Sequence, residues 1–187
     1  MNGIHKWYCR SAAWKRRVDT ELMPWALGEL SLEGPALELG PGPGITTDYL
    51  RTKVDSLTAL EADPMLAKRL RQRFSNTNVS VIDGDATAMP FDEGTFLTVY
   101  CFTMLHHVAS IALQNKLLAE VHRVLAPGGV FVGTDSRLSV RMKVFRWFDT
   151  MVIVDPSVFP QLLLEAGLLI QKIELGQGAF RFHATRD

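Results

Sequence analysis

Residues 37–47, LELGPGPGITT, set three glycines and two prolines between an apolar run and a helix-compatible segment. Gly and Pro at this density interrupt regular structure, so the chain must bend sharply there. The bend falls inside a longer alternation. PALELG precedes ITTDYLRTKV, SLTALEA precedes DPMLAKRLRQRF, VSVIDGD follows, FLTVYCFTML precedes IALQNKLLAEVHRVL, and GVFVGTDS closes the series. Short β-branched or aromatic runs alternating with amphipathic stretches predict βαβ units, hence an α/β fold with a parallel sheet and helices on both faces.

Within the longest amphipathic stretch, Leu113, Leu117, Val121 and Leu125 recur every four residues and predict one apolar stripe, opened near Ser110 and ended by APGG. The last two runs, LLIQKIEL and AFRFHATR, are separated only by GQG, too short for a helical crossover, so they should pair antiparallel. Residues 1–33 carry Trp7, Tyr8, Trp14 and Trp25 in helix-compatible sequence. The expectation is one domain over 1–187, with an N-terminal helical segment (1–33) laid against the end of a sheet-based core (34–187).

Charge narrows the partners. Twenty Lys and Arg balance twenty Asp and Glu, which predicts no general attraction to nucleic acid or an anionic membrane. Arg10, Lys15, Arg16 and Arg17 beside Trp14 read as a solvated helix face, and RMKVFRWF at 141–148 as a helix of the substrate region. No stretch of eighteen apolar residues occurs, and Cys9 and Cys101 lie far apart, which suits free thiols. A cytoplasmic protein without integral membrane association is expected.

The glycine loop excludes two familiar ligands. Glycines at 40, 42 and 44 leave Ile45 where a dinucleotide fingerprint needs its third glycine, and no Gly-Lys-Ser/Thr follows Gly44 for a nucleotide triphosphate. Pro41 and Pro43 remove N–H donors that a phosphate nest would use. Glu61 ends the second apolar run about twenty residues past the loop, where an acid can accept from both hydroxyls of an adenosine ribose. Asp63 before Pro64 reads as a helix N-cap. Asp83 and Asp85 bracket Gly84, and no Cys or His spacing suggests a metal site.

Together, Glu38 to Gly44, ALEADPML, VIDGDATAMPF, TMLHHV and EVHRVLAPGGVFVGTD resemble the class I S-adenosylmethionine-dependent methyltransferases, particularly the group with ubiquinone- and menaquinone-type C-methyltransferases. The resemblance covers residues 36 to 135. It implies a Rossmann-like doubly wound sheet of seven strands in the order 3-2-1-4-5-7-6, with strand 7 antiparallel. It also implies cofactor-binding roles. Glu38, Gly40, Pro41, Gly42 and Gly44 would border the methionine part of S-adenosyl-L-methionine. Glu61 would take the ribose hydroxyls, with Ala62 and Met65 beside the adenine. Asp85 and the Ala86 N–H would meet the adenine edge, and Cys101 would line the methionine end. The chain departs from the family at Leu97, where many relatives carry an acid after the phenylalanine.

Methyl transfer is an in-line displacement on a carbon already activated by a sulfonium, so alignment and exclusion of water carry most of the work. His106 and His107, just past the fourth run, are the candidates for a general base. His122 and His183 read as structural. The expected activity is methylation of a small, lipophilic molecule, with nucleic acid excluded as a partner. The alternative is a catalytically silent S-adenosylmethionine-binding or protein-interaction module on the same fold.

Overall fold

The computed structural model describes residues 11–28, 30, 34–137 and 151–187. Seven strands form one sheet: β1 (Ala36–Leu39), β2 (Leu57–Glu61), β3 (Val79–Asp83), β4 (Phe96–Phe102), β5 (Leu125–Ser136), β6 (Leu168–Leu175) and β7 (Ala179–Arg186). Their spatial order is 3-2-1-4-5-7-6, as expected. Strands β1 to β5 pair parallel, whereas β7 runs antiparallel to both β5 and β6. The Gly176–Gly178 turn explains the reversal: Gly178 has φ +80° and the Gly176 N–H donates to the Ala179 carbonyl at 2.8 Å.

Among the described residues, six α-helices flank the sheet: α1 (Ala12–Arg17), α2 (Met23–Leu27), α3 (Ile45–Leu50), α4 (Pro64–Arg73), α5 (Ile111–Val124) and α6 (Phe159–Glu165). A π-helical turn, Val18–Leu22, joins α1 to α2. Asp63 caps α4 by accepting from the Met65 and Leu66 N–H groups at 2.9 and 3.2 Å, with Pro64 in the first turn. Ser110 caps α5 in the same way through the Leu113 N–H. Both caps fall where the sequence places them.

Strand alternation sorts the core into two layers. Leu37, Leu39, Val99, Phe131, Phe180 and Phe182 pack under α5 and α6. Ala36, Ala59, Tyr100, Phe102 and Val132 face α2, α3 and α4 instead. Gly133 is obligatory in β5, because a Cβ there would overlap the Cys101 carbonyl oxygen and the Phe182 ring.

The expected stripe on α5 needs correction. The helix buries Gln114, Leu117, Leu118, Val121 and Val124, while Leu113 is exposed and Leu125 already belongs to β5. A four-residue spacing advances about 40° beyond a full turn at each step, so Leu113 and Leu125 drift to different faces. The 141–148 segment lies outside the described residues.

The N-terminal helices are fastened to the far end of the sheet. The Trp25 indole N–H donates to Glu174 Oε1 at 3.1 Å, and the Arg181 guanidinium donates to Glu174 Oε2 at 2.6 Å and to the Trp25 carbonyl. The same guanidinium lies 5.5 Å from the Trp25 ring centre. His183 Nε2 sits 2.8 Å from the Ala26 carbonyl; a carbonyl only accepts, so Nε2 carries the hydrogen. His183 is thus structural, and burial lowers its pKa. No described helix is long and apolar enough to cross a membrane.

Candidate functional site

The strand order reverses direction between β1 and β4, the switch point at which doubly wound sheets open a crevice beyond their carboxyl ends. A cavity of about 700 Å³ occupies that crevice. Its floor and walls come from the turn after β1 and the start of α3, the ends of β2 and β3, the turn after β4, and single residues of α1, α4 and α5.

The glycines after β1 are explained by backbone geometry. Gly40, Gly42 and Gly44 have φ of +62°, +55° and +80°, values that L side chains rarely adopt. The Gly40 N–H donates to the Leu60 carbonyl at 2.9 Å, and the Gly44 N–H closes the turn onto the Pro41 carbonyl at 2.9 Å. A Cβ on Gly40 would crowd Met104 Cγ at 2.5 Å, and one on Gly44 would meet Leu70 at 2.7 Å. At Gly42 a Cβ would meet nothing within 4 Å.

Glu61 ties this turn to β2. Its Oε2 accepts from the Gly42 N–H at 2.9 Å and its Oε1 from the Asp63 N–H at 3.0 Å. Burial raises its pKa, and these N–H groups oppose that rise. Each oxygen keeps a further lone pair, and the residue lines the cavity. Asp85 also lines it, with Oδ1 accepting from the Thr87 N–H at 2.8 Å, next to Ala86.

Seven of the eleven expected cofactor residues therefore line one cavity: Gly40, Pro41, Gly42, Glu61, Ala62, Asp85 and Ala86. The other four do not. Glu38 lies beneath the turn, accepting from the Thr46 hydroxyl and from the Thr47 hydroxyl at 2.6 Å, so it holds the start of α3 to β1. Burial pushes its carboxyl up to about 7 despite both hydroxyls. Gly44 ends the turn against Leu70. Cys101 points into the core beside Leu39 and Leu105, where burial pushes its thiol well up. Met65 is 62% exposed, and Leu66 lines the cavity instead.

The two histidines separate. His106 is buried, with its backbone N–H donating to Asp135 Oδ2 at 3.0 Å and its Nδ1 bonded to Asp135 Oδ1. His107 lines the cavity. Sequence reasoning missed Asp135 as a partner, together with Trp14, Phe102, Thr103, Met104 and Leu113 as wall residues. Thr103 is the one non-glycine with positive φ among the described residues, +52°, and its N–H donates to the Thr134 carbonyl at 2.7 Å. Nothing in the sequence marks that strained position.

The arrangement fits an adenosyl ligand better than a phosphate-rich one. Glu61 and Asp85 offer carboxylate acceptors; Leu60, Leu66 and Ala86 offer apolar contact for a base; and Gly42 leaves open space at its α-carbon. The Gly40, Gly42 and Gly44 N–H groups are already bonded to Leu60, Glu61 and Pro41, so the turn does not present them as a nest for a diphosphate.

Comparison with known proteins agrees. Residues 37–133 match the family model described as a methyltransferase domain. The ornithine lipid N-methyltransferase of Singulisphaera acidiphila is 30% identical over 161 residues, covering 80% of this chain and 81% of that protein. The ribosomal RNA small subunit methyltransferase A of Koribacter versatilis is 40% identical over 65 residues, 34% of this chain and 22% of that protein. The chain spans between 24% and 47% of the length of the first curated relatives it matches. Among solved structures, the N-methyltransferase NodS from Bradyrhizobium japonicum WM9, in complex with S-adenosyl-L-homocysteine, superposes with a TM-score of 0.74 at 20% identity. That match covers 96% of this chain and 91% of NodS.

The ribosomal RNA methyltransferases among the relatives overturn one expectation, the exclusion of nucleic acid as a partner. Net charge was the wrong quantity for it: a zero sum over the whole chain does not describe the local surface beside the cavity. In α4, for instance, Lys68, Arg69, Arg71 and Arg73 occur with no acid inside the helix. Family model, sheet order and crevice agree that the chain belongs to the methyltransferase domain family, as a class I member whose cofactor is S-adenosylmethionine.

Proposed function

We propose that this chain catalyses methyl transfer from S-adenosylmethionine to a small, lipophilic acceptor that enters beside β4 and α1. The observation that supports this acceptor class is the wall on that side: Trp14, Phe102, Met104, Val108 and Leu113 present apolar surface to the cavity. The likeness to an ornithine lipid N-methyltransferase over most of both chains points the same way.

Glu61 accepts from the ribose hydroxyls while still holding Gly42 and Asp63, so the groove is set before any ligand arrives. Asp85 accepts from the adenine amino group, and the Ala86 N–H donates to a ring nitrogen. Gly40, Pro41 and Gly42 give the methionine part close approach to the backbone. Glu38 and Gly44 support that turn from below, Cys101 backs the wall from the core, and Met65 stands at the outer rim. Bound there, S-adenosylmethionine supplies a methyl carbon activated by its sulfonium, with the thioether as leaving group. Trp14 and the β4 turn align the acceptor and exclude water, effects worth about 7–11 kcal/mol of such a barrier. His107, the histidine that lines the cavity, is the candidate to hold or take an acceptor proton.

Incubation with tritiated S-adenosylmethionine and three acceptor sets, amine-headed lipids, small polar amines and ribosomal RNA, tests the reading. Label in the lipid set is expected. Label confined to polar amines or RNA would overturn the lipophilic acceptor while keeping the methyl transfer.

A further inference from the structure

The turn after β4 is held more tightly than a loop wall requires. Its residues 103–108 contain the strained Thr103 and a 3₁₀ turn, Leu105–His107. Several of its backbone groups are bonded to other elements. The Thr103 N–H reaches Thr134, the His107 N–H returns to the Met104 carbonyl at 2.9 Å, and the His106 carbonyl accepts from the Val152 N–H at 3.0 Å. Buried Gln114 donates through Nε2 to the Leu105 carbonyl at 3.1 Å and to the Val152 carbonyl at 2.7 Å.

At the centre lies a fully buried carboxylate. Asp135 Oδ2 accepts from the His106 backbone N–H, while Oδ1 accepts from His106 Nδ1 and from the Ser136 N–H. A carboxylate only accepts, so the His106 tautomer has its hydrogen on Nδ1. The His106 ring then lies against His107, with centroids 4.2 Å apart and planes inclined by 46°. His107 is the residue of this trio that reaches the cavity. Among the described residues that line the β4 side of the cavity, those with polar side-chain groups are Thr103, His107 and Trp14.

We propose that Asp135 and His106 are positioning residues for methyl transfer: their buried pair fixes the 103–108 turn and the ring orientation of His107 toward the acceptor side of the cavity. The proposal rests on the methyltransferase reading above. Its logic is that burying a carboxylate and an imidazole is a poor route to stability but an effective way to select one geometry. An irregular turn with positive φ persists only where its surroundings over-determine it.

Histidine-selective ¹⁵N NMR with two cofactor analogues, S-adenosylhomocysteine and sinefungin, tests the role without knowing the acceptor. Sinefungin places an amine-bearing carbon where the methyl sulfonium would be. In the wild type, the His107 ring resonances are expected to shift when sinefungin binds, and His106 to show one tautomer. Asp135→Asn sets an amide NH₂ against one of the N–H donors now bonded to Asp135. Read at saturating analogue, so that any change of affinity through Met104 beside Gly40 does not enter, it should abolish or split the His107 response. His106→Asn, which keeps a donor near the Nδ1 position, should retain the response, and His106→Leu should lose it. This second pair decides the matter if Asp135→Asn does not fold. A folded Asp135→Asn or His106→Leu protein whose His107 responds like wild type would overturn the positioning role, as would a wild-type His107 indifferent to sinefungin. Failure of wild type to bind either analogue would instead bring down the cofactor reading on which the role rests.

Discussion

The two halves of the crevice are built differently. On the β1–β3 side, short contiguous motifs supply the walls, and backbone geometry dictates the residue types: three glycines at positive φ, one acid bonded to two N–H groups, one acid after β3. On the β4–β5 side, the wall is assembled from α1, the β4 turn and α5, and its shape is held by pairs as distant in sequence as His106 and Asp135. In the first half the backbone itself restricts the residue types, through positive φ at all three glycines and close neighbours at Gly40 and Gly44. The second can exchange side chains while the sheet stays intact, and this is how one fold accepts different substrates.

That contrast can be broken by mutation. Glu61→Ala should have the largest effect on binding. It removes the proposed acceptor of both ribose hydroxyls; at about 1–3 kcal/mol for each hydroxyl left unmatched in the complex, S-adenosylhomocysteine affinity should fall by about 30-fold or more. Calorimetry on the folded variant checks it, and affinity near wild type would remove Glu61 from the cofactor side.

Leu117→Ala probes the core beneath both halves. Leu117 is wholly buried under the sheet, so truncation should cost about 2–5 kcal/mol by denaturant unfolding, with cofactor-analogue affinity unchanged.

The pH dependence of stability isolates Glu38. Its folded-state carboxyl is raised from 4.5 to about 7 by burial, so the native state binds the proton more tightly than the unfolded chain. Stability from this group is therefore full at low pH and declines as pH rises through the window from 4.5 to about 7. Glu38→Gln should flatten that decline, which unfolding midpoints measured between pH 5 and 8 would show. Parallel slopes in the two proteins would refute the assignment.

The smallest effect belongs to the N-terminal anchor. Trp25→Phe keeps most of the apolar contact but loses the hydrogen bond to Glu174, and about 1 kcal/mol of stability should go with it. A loss several times larger would mean that the helices carry the sheet rather than rest on it.

Legibility followed the same division. The bend at the loop glycines, Asp63 as a cap and the terminal hairpin were readable because each is a local demand: a density of glycine and proline, an orphan N–H, a link too short for a crossover. The sheet order followed from the family likeness. The β4 side was not readable in this way. Cys101 lies inside β4 and packs in the core, whereas Thr103 lies just past the strand end at positive φ and turns into the crevice, and that irregular strand end has no sequence signal. Glu38 was found but its task was not, because its partners Thr46 and Thr47 lie across the turn. The His106–Asp135 pair is 29 residues apart and meets only once β4 and β5 are side by side. No local pattern announces it.

Titration of the wild-type protein with S-adenosylhomocysteine in a calorimeter, with NAD and ATP as parallel ligands, tests the central claim most directly. Selective one-site binding of S-adenosylhomocysteine is the result the crevice predicts. Well-folded protein that ignores it, or that binds NAD or ATP equally well, would contradict the account.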